Sequence, residues 1–318
     1  MGGGAIAERT IDGMSGLVLR SAAAGGIEAT FVPEAGMVGC SLRHRGEELL
    51  GQRGGLATYV AERSTMGIPL LHPWANRVGA TRFAVAGREV VLDGSGARPS
   101  LDPNGLPIHG LLAAATGWAV DRHEEAEGGA VLGARFDFGS HADLMEAFPF
   151  PHEIGLEAQL AGTTLAVATS VRATADVAVP VAFGFHPYFQ LPGAPRADWE
   201  VEIPVRARLG LDPRMLPTGE REPVEVAPGP LGPRTFDDGY LAPPNGAAFS
   251  VAGGGRRIEV SFDDGYPYAQ VYAPGDDDVI AIEPMTAPTN ALASGEDLPI
   301  VAPGGTYEAR FRITVADV

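Results

Sequence analysis

The chain has 318 residues, 45% hydrophobic and 20% charged, a balance that excludes a disordered or fibrous polymer and leaves ample material for a core. Its net charge of −17 sets up a field that repels phosphate backbones, which argues against a nucleic-acid partner. All 23 cations are arginine, so Schiff-base lysine chemistry and the lysine-ended phosphate loop are excluded, and the single Cys40 excludes internal disulfides and multi-thiolate metal sites.

Gly (43) and Pro (27) make up more than a fifth of the chain, which favours short strands joined by turns. In chain order, Gly26 to Pro33 and Val38 to Arg43 read as a first strand pair. Residues 83–92 read as a hairpin turning at Ala86-Gly87. Strands follow at 118–123 and 130–138, and His141 to Phe148 is the one short helix expected. Residues 153–172 alternate apolar and polar side chains around Ala161-Gly162, a second hairpin. Further strands are expected at 178–185, 199–209, 256–262, 268–273, 278–283 and 306–315. Strands in this number, without helical crossovers, imply antiparallel sheets packed face to face. The expected fold is all-β, a large antiparallel β-sandwich.

We expect a single domain over 1–318, with a partly irregular N-terminal segment (1–25) and a long Pro-rich surface loop (211–235). The run Asp276-Asp277-Asp278 reads as an acidic turn, because the ligand spacing of a calcium loop is missing. No stretch is long and apolar enough to span a bilayer, and MGGGAIAERT lacks a basic segment followed by an apolar one. The expectation is a cytoplasmic protein with no membrane partner.

There is no GxSxG elbow, HExxH or dinucleotide GxGxxG. Instead, polar residues interrupt apolar strand ends in four segments: Gly67 to Arg77, Ile108 to Leu112, Val181 to Leu191 and Ala281 to Leu292. His186, directly after the apolar run Val181 to Phe185, is either a packed core residue or a group at the mouth of a site. Glu283 ends the apolar run Val279 to Ile282; it is either a solvated strand-end carboxylate or a desolvated one with a raised pKa, suited to act as a base.

The order NR, HG, HPYF, DDGY, QVY, EP resembles the aldose 1-epimerase (galactose mutarotase) family from about residue 30 to the C-terminus, joined by Leu216 to Glu220 and Ala302 to Tyr307. The resemblance implies a galactose mutarotase-like supersandwich and interconversion of the α and β anomers of a free sugar by ring opening and reclosure. It implies Glu283 as the base that takes the C1 hydroxyl proton and His186 as the acid that protonates the ring oxygen. Asn76 and Arg77 match the family's sugar-binding pair, His109 its second histidine, and Asp237 and Gln270 the groups that bind sugar hydroxyls. The implied partner is a small sugar, with no cofactor and no metal.

The chemistry is consistent with these residue types on its own terms. Ring opening needs one acid and one base at the C1–O5 unit, with no electron transfer and no leaving group. Asn, Gln, Asp and Arg can satisfy sugar hydroxyls, and Trp74 or Tyr188 could supply an aromatic face or simply pack in the core. Phe185 and Pro187 stand where many members of the family carry Asn and Ser or Thr. Asp238 beside Asp237 leaves the register of that motif open by one. His72 is expected to be structural, and His44, His123, His141 and His152 to be surface residues. Three alternatives remain: a hexose 6-phosphate mutarotase using Arg63 and Arg82, a non-catalytic sugar-binding protein, and a glycoside hydrolase pairing Asp237 with Glu283.

Overall fold

Strands that bury one face require a second layer to cover it, and here two large sheets cover each other. The computed structural model of the chain describes residues 4–243 and 246–318. Among these residues the strands form a nine-stranded, an eight-stranded and a five-stranded sheet, built from antiparallel ladders. The nine-stranded sheet is led by the hairpin of His152–Ala161 with Thr164–Ala173, next to Thr306–Asp317 and Arg256–Asp264. The eight-stranded sheet places Ile280–Met285 between Tyr268–Ala273 and Gly184–Phe185, with Phe236–Leu241 beyond Tyr268–Ala273. The two sheets meet through rings: Phe185 packs on Phe311 at 5.0 Å between centroids, and Tyr266, in the turn between Arg256–Asp264 and Tyr268–Ala273, stands edge-on to the same Phe311. Leu19, Ile27 and Phe31 of the five-stranded sheet join that apolar core.

The hairpin at 83–92 is present, with Ala86 and Gly87 both at positive φ, as a two-residue turn that follows the strand twist requires. The second hairpin turns at Gly162-Thr163, one residue later than the alternation suggests. The helix at Ala142–Ala147 lies inside the expected range. The segment 178–185 does not form one strand. Val179–Pro180 pairs with Ile300–Val301, and only Gly184–Phe185 joins the eight-stranded sheet. Likewise 199–209 divides at Pro204, which cannot donate to a ladder: Glu200–Glu202 belongs to one large sheet and Ala207–Leu211 to the other.

Two stretches are more regular than expected. Within 1–25, Ile6–Ile11 and Met14–Arg20 form a hairpin around Asp12-Gly13, a turn pair whose positive φ values suit the tight connection. Residues 1–3 of that segment lie outside the described residues. Within 211–235, Pro217–Pro223 is an edge strand on Ala207–Leu211, and its polar PTGEREP sequence with a proline at each end is how an edge avoids further pairing. Gly55–Glu62 is a helix that the strand-dominated reading did not anticipate.

His152 and His44 are corrected from surface to core, since both are essentially unexposed, and His123 and His141 are half-buried. His152 Nδ1 lies 2.6 Å from the Phe150 carbonyl, so Nδ1 carries the proton and Nε2 is bare. His72 Nε2 lies 2.7 Å from that bare nitrogen and must donate to it, leaving His72 Nδ1 an orphan acceptor. The pair therefore requires both rings neutral. Burial pushes His72 well below its usual pKa, with His152 adding to the effect. Burial also takes His152 down to about 4, against the Phe150 carbonyl and Asp137. The His72 carbonyl accepts from the N–H of Leu111 at 2.7 Å, so this clamp also anchors the segment after His109.

A histidine with a depressed folded-state pKa binds its proton more readily when unfolded. Stability is therefore complete above about pH 6.5 and declines as pH falls toward 4, by about 1.4 kcal/mol per pH unit for each such proton. His152→Gln keeps an acceptor for His72 but does not titrate. Urea unfolding from pH 7 to 4.5 should show a shallower decline in the variant, by close to one proton; parallel curves would show that His152 contributes nothing to acid lability.

Candidate active site

Antiparallel register places the site. Gly184 pairs with Met285, and Tyr188 with Ala281. Both pairs belong to one register, which sets His186 directly across from Glu283. Gln270 lies opposite Glu283 on the other side, and Gly239 opposite Gln270. One pleat along, a second row runs Tyr188, Ala281, Tyr272, Asp237. Side chains two apart share a face, so both rows point the same way. The alternate residues, Phe185, Ile282 and Val271, lie in the core between the large sheets. The site is thus on the face of the eight-stranded sheet turned away from the nine-stranded sheet.

Loops build the walls. Arg77 bridges to Ile108, and the His109 N–H donates to the Asn76 carbonyl at 3.0 Å. Asn76 (φ 53°) and His109 (φ 64°) are both held in the left-handed region, an uncommon backbone state in a segment that the surrounding contacts must enforce. Gly110 follows because a Cβ there would lie 2.2 Å from the His72 carbonyl oxygen. The resulting pocket of about 200 Å³ is lined by Asn76, Arg77, His109, His186, Asp237 and Glu283, together with Arg53, Thr65, Ile108, Tyr188 and Tyr272.

His186 Nε2 lies 3.2 Å from Glu283 Oε1 and 3.1 Å from the Tyr188 hydroxyl. Glu283 is about 1% exposed and His186 about 5%. Burial drives the Glu283 carboxyl well above its usual pKa, and Asp237 adds to this while Arg77 opposes it. Burial drives His186 the other way, well below its usual value, reinforced by His109 and Arg53. His109 is taken down to about 3 by burial, with Arg77 and Arg53 in support. Both shifts favour the uncharged form of each group, so across the 3.2 Å contact the carboxyl is the donor and Nε2 the acceptor.

Arg77 is fixed by three acceptors. Its Nε donates to Asp102 at 2.7 Å, its Nη1 to Asn76 Oδ1 at 3.1 Å, and its Nη2 faces Asp237 at 3.8 Å. Burial would raise the Asp102 carboxyl, but the Leu106 and Asn104 N–H groups and Arg77 outweigh it and hold it below its usual value. Asp237 is raised by burial, partly offset by Arg77 and by Gln270.

Most of the expected residues converge. Asn76, Arg77, His109, His186, Asp237 and Glu283 share the pocket. Gln270 stands behind it, donating from Nε2 to Asp237 Oδ1 at 2.7 Å, so it orients that carboxylate. Asp237 is the aspartate that lines the pocket, while Asp238 faces Arg208 at 3.6 Å. Phe185 points into the core, so its identity does not reach the pocket. Trp74 is core, whereas Tyr188 lines the pocket. Arg63 and Arg82 do not reach it: Arg63 donates to the Arg98 carbonyl and Arg82 pairs with Asp93 at 2.9 Å. The turn 275–278 carries Asp277 to Arg53 at 3.5 Å. Arg53, Thr65, Tyr272 and Asp102 went unanticipated. Tyr272 was within reach, since it sits two residues after Gln270 on a strand.

The family profile described as aldose 1-epimerase matches residues 35–314. The chain belongs to the aldose 1-epimerase family. Its fold is shared with a galactose mutarotase-like protein from Clostridium acetobutylicum (19% identity, 98% of each chain covered, TM-score 0.84). It is shared too with a galactose 1-epimerase from Lactobacillus acidophilus NCFM (15%, 98% of each chain, 0.76). An aldose epimerase homologue from C. elegans also matches (18%, 95% of this chain and 99% of that one, 0.75). No curated protein matches. Membership supports a sugar epimerase activity of the mutarotase kind. Among the described residues, no helix is long and apolar enough to cross a membrane.

If the Glu283 carboxyl is protonated near neutrality, the infrared difference spectrum of wild type minus Glu283→Gln at pH 7 should contain a protonated carboxyl stretch. A carboxylate band alone would place its pKa below neutrality.

Proposed function

We propose that this chain is an aldose 1-epimerase that interconverts the α and β anomers of a free aldohexose or related sugar. The observation that carries the reading is the buried Glu283–His186 pair at 3.2 Å, which faces a pocket lined by hydroxyl-binding groups. Ring opening begins when the Glu283 proton passes to His186 Nε2 across the 3.2 Å contact; Glu283, now a carboxylate, takes the proton from the C1 hydroxyl while His186 delivers its own to O5. The C1–O5 bond breaks and C1 becomes an aldehyde. This leaves Glu283 protonated and His186 neutral, which is the arrangement burial favours. Rotation about C1–C2 turns the other carbonyl face toward O5. The same two proton transfers in reverse then close the ring as the opposite anomer, and the pair returns to its starting state.

Arg77, locked by Asp102 and Asn76, and Asp237, oriented by Gln270, hold the hydroxyls. A pocket of about 200 Å³ lies below the range of drug-sized sites and suits one sugar ring. Both guanidiniums in the pocket already have counter-carboxylates, Asp102 for Arg77 and Asp277 for Arg53, which favours a neutral sugar over a phosphorylated one. An acid–base pair buried this deeply also supports catalysis over mere binding, because leaving titratable groups unsolvated is unfavourable without a use for them.

Anomer exchange followed by NMR on freshly dissolved α-sugars is the direct test. Glu283→Gln and His186→Asn should each lower kcat by roughly 10²–10⁴-fold, with sugar binding much less affected. The double variant should lose less than the product of the two. Wild-type protein that binds sugar without accelerating exchange would leave a carbohydrate-binding protein as the better reading.

The proposed proton transfers lie within side chains, so dialysis against a chelator should leave the exchange rate unchanged. Loss of rate in chelator, restored by a divalent cation, would require a different mechanism.

A further inference from the structure

We infer that Asn290 is a positioning residue for Arg77: from the segment that follows Glu283, its backbone N–H and its side-chain oxygen grip the chain at and just beyond that arginine and fix its place relative to the acid–base pair. The inference rests on the reading of Arg77 as a group that holds a sugar hydroxyl.

The Asn290 N–H donates to the Arg77 carbonyl at 2.9 Å, and Asn290 Oδ1 accepts from the Gly79 N–H at 2.7 Å. One residue thus holds both ends of the Arg77-Val78-Gly79 stretch. Its conformation serves that contact. Asn290 stands in the left-handed region (φ 70°), which asparagine enters more readily than most side chains. It also precedes the helix Ala291–Ser294, and the Ala293 and Ser294 N–H groups donate to its carbonyl, yet its side chain does not cap that helix. An asparagine at this position ordinarily turns its oxygen to the helix N–H groups, whereas here the oxygen is given to Gly79. Gly79 admits the approach, since a Cβ there would lie 3.1 Å from Asn290 Oδ1 and 2.9 Å from Leu216 Cδ1.

The other end of the same segment is tied to the acid–base pair. Glu283 belongs to Ile280–Met285, and the next residue, Thr286, is fully buried. Its N–H and its hydroxyl both donate to the Phe183 carbonyl, at 3.0 and 2.9 Å, on the chain that leads into His186. Residues 284–290 therefore run from Glu283, past an anchor on the His186 segment, to Arg77. From the opposite wall the Asn76 carbonyl accepts from His109, and the Val78 N–H donates to the Pro107 carbonyl at 2.9 Å. Asp102 and Asn76 lock the guanidinium, but they fix it relative to its own loops. Asn290 ties the arginine's backbone to the segment that carries the base. That tie matters because a misplacement of about 1 Å between a binding group and the reacting centre is enough to spoil the approach of substrate to catalyst.

Asn290→Gly keeps the backbone N–H and suits a positive φ, so it removes the side-chain oxygen alone. It should raise KM for the sugar roughly tenfold with kcat within about twofold, because Arg77 holds hydroxyls and passes no proton. It should also move the Arg77 Nε ¹H–¹⁵N signal, identified by its loss in Arg77→Lys, in the sugar-free protein. Asn290→Asp, which restores an acceptor oxygen and tolerates the same φ, should stay within about twofold of the wild-type KM. In an Arg77→Lys background Asn290→Gly should have no further effect on KM. Gly79→Ala leaves Asn290 in place and crowds its oxygen; it should reproduce the rise in KM and the signal shift, and it carries the test if Asn290→Gly does not fold. An unmoved Arg77 signal with wild-type KM would overturn the inference. So would a rise in KM that persists in the Arg77→Lys background, or one equally large in Asn290→Asp. Wild-type protein with no exchange activity would overturn the mutarotase reading instead, and the Arg77 signal would still decide whether Asn290 governs Arg77.

Discussion

A carboxyl group buried in the middle of a sheet face is the constraint around which this molecule is organised. An isolated buried carboxylate is destabilising by several kcal/mol, so Glu283 is tolerated only as a neutral acid or beside a proton donor. The register meets that requirement by setting His186 across from it. Pro187 and Pro284 lie beside the pair, and neither has an N–H for the ladder. Regular pairing resumes at Gly184 with Met285 and at Tyr188 with Ala281, so the unpaired interval is short and its ends are fixed. Within that interval the Ile282 N–H still reaches the Pro187 carbonyl at 3.4 Å and the His186 N–H turns to the Pro69 carbonyl at 3.2 Å, so the two titratable groups meet where the ladder is thinned but its alignment is kept.

From that pair outward, the work is divided between sheet and loops. The sheet supplies position: His186, Glu283, Gln270, Tyr188, Tyr272 and Asp237 are spaced by the pleat and cannot drift without breaking ladders. The loops supply enclosure, and they are held by means other than ladders. Asn76 and His109 occupy left-handed backbone states, Asp102 clamps Arg77, and the neutral His72–His152 pair anchors the segment after His109 from beneath. Pre-organisation of this kind keeps polar groups aimed at one small volume before any ligand arrives.

How much of this could be read from the chain follows the same division. Period-two alternation made the hairpins at 83–92 and 153–172 visible, along with the strands that carry Gln270 and Glu283, because half-buried strands write their facing into sequence. Pro217–Pro223 escaped because an edge strand exposed to water is composed like a loop. The Asp12-Gly13 turn is a hairpin signal in the sequence itself, masked by the glycine- and alanine-rich composition around it. His44 and His152 were misplaced because a histidine in isolation says nothing about burial; the partner that makes His152 tolerable in the core is 80 residues away. Arg53, Thr65 and Asp102 lie on segments whose approach to the pocket is set by tertiary packing, and local spacing carries no trace of that.

The charge arithmetic of the pocket bears on why such a site can work in so acidic a chain. The net charge of −17 would raise the pKa of any carboxyl exposed to its field, and Asp237 already pushes Glu283 in that direction. Arg77 opposes this from within the pocket, and Arg53 discourages a second proton on the imidazole from across the Tyr188 ring. The two arginines thus act on different members of the pair: one eases ionisation of the acid, the other keeps the imidazole from being doubly protonated at rest. With each guanidinium tied to its own carboxylate, the pair is left with a single shared proton and little net charge around it. Moving that proton between oxygen and nitrogen over 3.2 Å then stays inside the pocket, which is what the proposed ring opening asks of a buried acid–base couple.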